Sequence, residues 1–252
     1  MAQFDVWLNV YIVAAIAVLG PIGMLAMDRL VARAVTGGYL ERGAPLARDT
    51  GRLDDIKFMA SFIIATGVLA SLAQLAMFHG RAIPIDLGVR PLELLGFTTL
   101  LMLAVDANGF FWHWFSHRNE RAFLRFHSGH HRTKGKVHVA VAFYSNTLWD
   151  YPLHSGITLS IGLSLLVLAT GHYPVVTIVY ATTVYVLGIA LTHSGLRETR
   201  AVRAALFVVL LPIKIVPTAI RLDDHERHHA DSDCNYGVFF SHWDRLFKTW
   251  RR

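Results

Sequence analysis

Five of the fourteen histidines fall within residues 113–132, HWFSHRNERAFLRFHSGHHR. His113 and His117 stand at i, i+4, so both rings leave one face of a helix. His127, His130 and His131 stand at i, i+3, i+4, and His225, His228 and His229 repeat that spacing. Neutral imidazole is the commonest protein ligand for borderline first-row metals. Eight clustered histidines are too many for one tetrahedral zinc, which takes four ligands, and they suit two metals. A continuous helix from His113 to His131 would spread these ligands over about 27 Å. The chain is therefore expected to turn between the clusters, at 118–120 or at 128–129.

Other residues belong to the same reading. His193, in LTHSG, and His154, in YPLHSG, are further candidate ligands at the ends of apolar runs. Asp106, seven residues before His113, lies on the stripe that carries His113 and His117. A carboxylate inside a membrane helix is costly, and Asp106 is expected to accept a ring N–H and fix the tautomer of a ligand histidine. Gly109 shares that stripe as a small residue at a packing contact; Asn108 faces elsewhere and receives no role. Asp150, Asp223 and Asp224 are weaker supporting carboxylates, and His138 and His242 are expected to stand outside the ligand set. HERHH at 225–229 also satisfies HExxH, the pattern of a zinc hydrolase with Glu226 as general base. That alternative uses one cluster, and the matching triplet has Ser128 where the glutamate would stand.

The elements that must carry these rings are membrane spans. The composition is 54% hydrophobic and 17% charged, with a mean hydropathy of +0.41, which favours the membrane class. Residues 6–27, 58–78, 91–112, 155–170 and 173–191 form candidate spans, the last two as a tight helical hairpin. Residues 204–220 are apolar but interrupted by Pro212, Lys214 and Pro217, so an interfacial or re-entrant segment is expected there. The net charge of +6 is read as membrane topology, since no basic-aromatic groove or glycine-rich phosphate loop accompanies it and nucleic acid is not an expected partner. Lys and Arg number six in 28–57, two in 79–90, six in 113–154, none in the hairpin turn and ten in 192–252. The positive-inside rule then puts the rich segments and the C-terminus in the cytoplasm and the N-terminus outside. Every clustered histidine falls on the cytoplasmic side of that map. Cys234 is the only cysteine, so no internal disulfide forms. The expected fold is an all-α polytopic bundle of four or five spans with a histidine-rich helical cap, as one domain over residues 1–252.

From Asp106 to Thr249 the chain resembles the fatty acid hydroxylase/sterol desaturase superfamily of integral membrane enzymes. That family carries HxxxH, HxxHH, a lone histidine and a second HxxHH, which look like His113/His117, His127/His130/His131, His193 and His225/His228/His229. The family's aspartate seven residues before the first histidine matches Asp106. Its NYG and WDRLFGT-like tail resembles Asn235-Tyr236-Gly237 and the run from Trp243 to Thr249. Trp114 stands where the family usually has arginine, and Lys248 where its tail has glycine. The resemblance implies two iron ions held mainly by histidine, O2 as co-substrate, and hydroxylation or desaturation of an unactivated C–H bond in a lipid-phase substrate. A fatty acyl chain, a sterol and an isoprenoid all fit. No fused electron-transfer domain is expected within these 252 residues, and a separate ferredoxin, cytochrome or reductase is the expected electron donor.

Overall fold

The computed structural model describes residues 83–131, 147, 149–150 and 152–251, with isolated positions within 26–37 and residue 67. The expected spans at 6–27 and 58–78 lie outside these residues, save for positions 26 and 67, and His138 lies outside them too.

Helix α1, Pro91–Arg118, organises the rest. Pro91 opens it, where a missing N–H costs nothing, and Glu93 favours its positive end. Its 28 residues reach about 42 Å, longer than the hydrocarbon core. The last turns, with His113 and His117, therefore project past a span that starts at Pro91. The buried stripe runs Thr98, Leu101, Met102, Val105, Asp106, Gly109, Phe110, His113 and Ser116, the i, i+3, i+4 pattern of one helix face. Asn119 breaks the helix in an extended conformation, and its side chain caps the next turn by accepting the N–H of Ala122 at 2.9 Å. That turn is α2, Glu120–Ala122, which widens into a π-helical turn, Phe123–His127. The chain therefore reverses at Asn119 and again after His127, which brings the first two clusters together.

A second π-helical turn, Pro152–Gly156, leads into α3, Ile157–Thr170, which ends on Gly171 with a left-handed φ of 68°. Helix α4, Val175–Thr192, returns antiparallel and ends at His193. The hairpin is tied at its turn by a departure from a purely helical fold: β1, Ile85–Asp86, pairs in parallel with β2, Tyr173–Pro174. Three helices, Pro91–Arg118, Leu153–Thr170 (α3 with its preceding turn) and α4, are long and apolar enough to cross a membrane. Their outer faces carry Leu100, Ile161, Leu165, Leu168 and Val179, all exposed among the described residues, as a lipid-facing surface requires. The protein is a mostly helical membrane protein.

Residues 204–220 form no span. They fall in α5, Arg200–Val209, and α6, Leu211–Lys214, broken at Leu210; ten residues of helix cover only about 15 Å. Helix α7, Leu222–Ala230, carries the last histidine cluster. An irregular segment, 231–241, follows and leads to α8, His242–Leu246. The core between α1, α4, α6 and this segment contains Met102, Val105, Val184, Tyr185, Ile189, Ile213, Phe239 and Phe240. The C-terminal ends of α1 and α4 and the start of the α3 segment therefore meet at one end of the bundle, beside α7.

Candidate metal centre

Nine histidines converge there in two groups. His113, His117, His127, His131 and His228 form one; His130, His193, His225 and His229 form the other. Within each group the candidate donor atoms lie within 4.8 Å of one another. In the first, His131 Nε2 stands 3.1 Å from His117 Nε2, 3.2 Å from His127 Nε2 and 3.1 Å from His228 Nε2. In the second, His193 Nε2 is 3.3 Å from His130 Nε2 and 3.1 Å from His225 Nε2. The two HxxHH motifs divide in mirror fashion. The first hands His127 and His131 to the five-histidine group and His130 to the other. The second hands His225 and His229 to the four-histidine group and His228 to the first.

The tautomers are set from behind. A carbonyl only accepts, so His113 donates Nδ1–H to Tyr236 (2.8 Å), His228 to Cys234 (2.7 Å) and His193 to Ile189 (2.8 Å). Each neutral ring then turns an Nε2 lone pair into the cluster. Burial pushes His130, His131, His225, His228 and His229 well below the ordinary imidazole range, and neighbouring rings add to the shift. These rings are neutral and able to ligate. His113 Nε2 and both ring nitrogens of His229 are buried without a hydrogen-bond partner. Inward-turned nitrogens this close together, three of them on rings whose proton goes to a backbone carbonyl, fit a cation in each group.

Asp106 is placed differently from the expectation. Its Oδ1 accepts the backbone N–H groups of Val238 (3.1 Å) and Phe239 (2.8 Å) instead of a ring N–H. The reason is geometric: the segment after Gly237 crosses α1 at that level, and its amides need an acceptor inside the bundle. Asp150 meets a ring instead, with Oδ2 3.6 Å from His127 Nδ1 and Oδ1 accepting Trp112 Nε1–H at 2.7 Å. Burial pushes Asp150 up, but these two contacts outweigh it and hold the carboxyl below its usual range. Asp223 pairs with Arg221 (3.1 Å), and Asp224 accepts the Arg221 N–H (2.8 Å) at the start of α7.

His154 stands beside the centre but in neither group. Its ring centroid lies 6.1 Å from that of His113, and Nδ1 is 2.5 Å from Ser155 Oγ. Gly109 makes the room: a Cβ there would sit 2.8 Å from His154 Cε1. Asn108, given no role from sequence, donates to the Leu153 (2.8 Å) and His154 (2.5 Å) carbonyls and holds the π-helical turn. His242 is remote, against Thr218 Oγ1 at 3.1 Å.

The sequence reading assigned no task to the residues that support the tautomer-setting carbonyls. Asp244 is fully buried. Its Oδ1 accepts Tyr236 N–H (2.9 Å) and Thr249 Oγ1–H (2.7 Å), and its Oδ2 accepts Gly237 N–H (2.8 Å). Asn235, at a left-handed φ of 53° that asparagine tolerates, donates to the carbonyls of Asp224 (2.9 Å) and Arg251 (2.8 Å). The only signal was their place in the NYG and tryptophan-aspartate motifs. Lys248 also adopts a left-handed φ, 58°, which costs a side-chain-bearing residue about 1 kcal/mol. Lys248→Gly is expected to stabilise the protein by about that amount, read as a rise of roughly 2–4 °C in the apparent unfolding temperature.

A zinc hydrolase built on His225 and His229 accounts for two of the nine converging rings. Burial, with Asp223 adding, pushes Glu226 up to about 8.

Comparison with known proteins agrees with this geometry. Residues 98–249 match a family model described as fatty acid hydroxylase. Cholesterol 25-hydroxylase of Homo sapiens is 25% identical over 163 residues, covering 64% of this chain and 53% of that protein. The chain thus spans about half the length of that curated relative. No solved structure matches.

Proposed function

The chain belongs to the fatty acid hydroxylase family, and from that premise we propose that it is an O2-dependent di-iron oxidoreductase that hydroxylates an unactivated C–H bond of a lipid-type substrate. One observation carries the reading: nine histidines, seven buried and two half-buried, divided between two adjacent groups, with Nε2 atoms of both turned inward. The five-histidine and four-histidine groups would each hold one iron. When bound, the two irons supply the O2-dependent oxidation of the C–H bond. Everything else is the work of the chain. The carbonyls of Tyr236, Cys234 and Ile189 hold three rings in the ligating tautomer. Asp150, itself held by the Trp112 indole N–H, faces His127 Nδ1 from behind at 3.6 Å. The packed ends of α1 and α4 help to bury seven of the nine rings. An all-nitrogen donor set also suits iron better than magnesium or calcium, which prefer oxygen.

The centre lies where apolar spans end, so an amphiphile can enter from lipid and present one carbon to it. A fatty acyl chain, a sterol or another isoprenoid has that shape, and the likeness to a sterol hydroxylase supports this substrate class. The Lys/Arg distribution supports placing the centre and the C-terminus on the cytoplasmic side, where a separate electron-transfer protein would supply the electrons.

A mass comparison of lipid extracts tests the activity. A host expressing the wild type, supplied with oxygen and a reductase, is compared with one expressing His130→Ala. Species with one added oxygen, present only with the wild type, are the expected result and identify the substrate class. Loss of two hydrogens instead would make the reaction a desaturation at the same centre. No difference, together with zinc instead of iron in the purified protein, would overturn the reading.

A further inference from the structure

Glu198 takes no part in anything described so far, yet it is buried, at 4% exposure. Its Oε1 accepts Arg203 Nε–H at 3.0 Å. Its Oε2 accepts Lys214 Nζ–H at 3.2 Å and the backbone N–H of Leu222 at 3.0 Å. Lys214 Nζ also donates to the Ile220 carbonyl at 2.9 Å. A buried carboxylate persists only where it is paired and hydrogen-bonded, and this one is satisfied by three separate elements. It joins the segment after α4 to α5, to α6 and to the first residue of α7.

The position of this bond matters more than its strength. Glu198 follows His193 by five residues, and Leu222 precedes His225 by three. The Nε2 atoms of those two histidines stand 3.1 Å apart. The bond between Glu198 and Leu222 crosses 24 residues of chain to bring the two ligand-bearing segments side by side. The five-histidine group depends less on α7. It takes only His228 from α7, and that ring is held from the other end of the helix by the Cys234 carbonyl.

We infer that Glu198 is a positioning residue for the four-histidine group: it seats the start of α7 against the end of α4 and so aligns His225 and His229 with His193 and His130. The inference rests on the two-metal reading above. A carboxylate that merely supported the fold would affect both groups alike; this one acts on one of them.

The test counts metal. Wild type, Glu198→Ala and Arg203→Ala are purified in detergent after iron loading, and metal per chain is measured beside helical content by circular dichroism. The wild type is expected to hold about two metal ions per chain, one for each histidine group. Glu198→Ala is expected to hold about one with unchanged helical content, and Arg203→Ala, which frees only Oε1, about two. The metal left in Glu198→Ala should disappear when His117→Ala is added and persist when His193→Ala is added. Should Glu198→Ala fail to fold, Glu198→Gln replaces it; its one acceptor oxygen faces three donors, so the same selective loss is expected, to a smaller degree. Loss of both metals together, or retention of both at wild-type affinity, overturns the assignment. A wild type that binds no metal overturns the two-metal reading itself, before Glu198 is in question.

Discussion

Replacing His113, His130 or His228 with alanine abolishes turnover, by more than about 100-fold, while the protein remains in the membrane and folded. Losing an outer partner of a metal ligand typically costs 10–100-fold in affinity or activity, and removing the ligand itself costs more. The three positions also separate the two groups. His113 and His228 both serve the five-histidine group, and each is held by a backbone carbonyl. His130 serves the four-histidine group and is packed against His229 at a ring separation of 4.6 Å. Metal analysis of the three variants should show one group emptied in each, with no loss of membrane extraction yield. Full activity in any of them would refute the ligand assignment for that ring.

The second large effect is expected at a residue that touches no ligand. Asp244→Ala removes the acceptor for the N–H groups of Tyr236 and Gly237 and for the Thr249 hydroxyl. Each buried donor left unsatisfied costs about 1–3 kcal/mol, so the loss is on the order of 3–5 kcal/mol. That corresponds to a fall of roughly 10 °C in the apparent unfolding temperature of a chain this size. The loop cannot then hold the Tyr236 carbonyl against His113, and metal should be lost before the helices unfold. Asp244→Asn keeps one acceptor but turns an NH2 towards a backbone N–H, and should fall in between. Thermal scans with metal release recorded in parallel check this. Simultaneous helix loss and metal release would mean that the loop is not what orients the ring.

The contrast between these two residues marks what was legible in the sequence. Histidine spacing is local, so the i, i+4 pair at His113 and His117 and the reversal between clusters were readable from helix geometry alone. The division of the rings was not. In α7 the i and i+4 rings lie about 40° apart around the axis and the i+3 ring about 100° from the latter, so one HxxHH motif can serve two centres, but spacing does not say which ring goes where. The role of Asp106 was misread because the stripe shows only that it faces inward. What it meets, the amides of Val238 and Phe239, is more than 130 residues away. The roles of Asp244, Asn235 and Glu198 were not legible for a related reason: the first two stood out only as motif members, and each of the three acts on backbone groups, which carry no sequence signature.

The loop that orients His113 has a consequence for how the protein is made. The acceptor of that ring is synthesised 123 residues after it, and the latch on the loop closes only with Asp244, Thr249 and Arg251. At the usual pace of ribosomes the first clusters wait on the order of ten seconds for their orientation. Until then the His113 ring lacks the carbonyl that fixes its tautomer, and intrinsic affinity of such nitrogen donors favours copper and zinc over the iron proposed above. On the two-iron reading, discrimination among metals would therefore fall to the moment when residues 235–251 close the loop and lock the rings into a geometry that an early, wrongly chosen ion must either fit or leave.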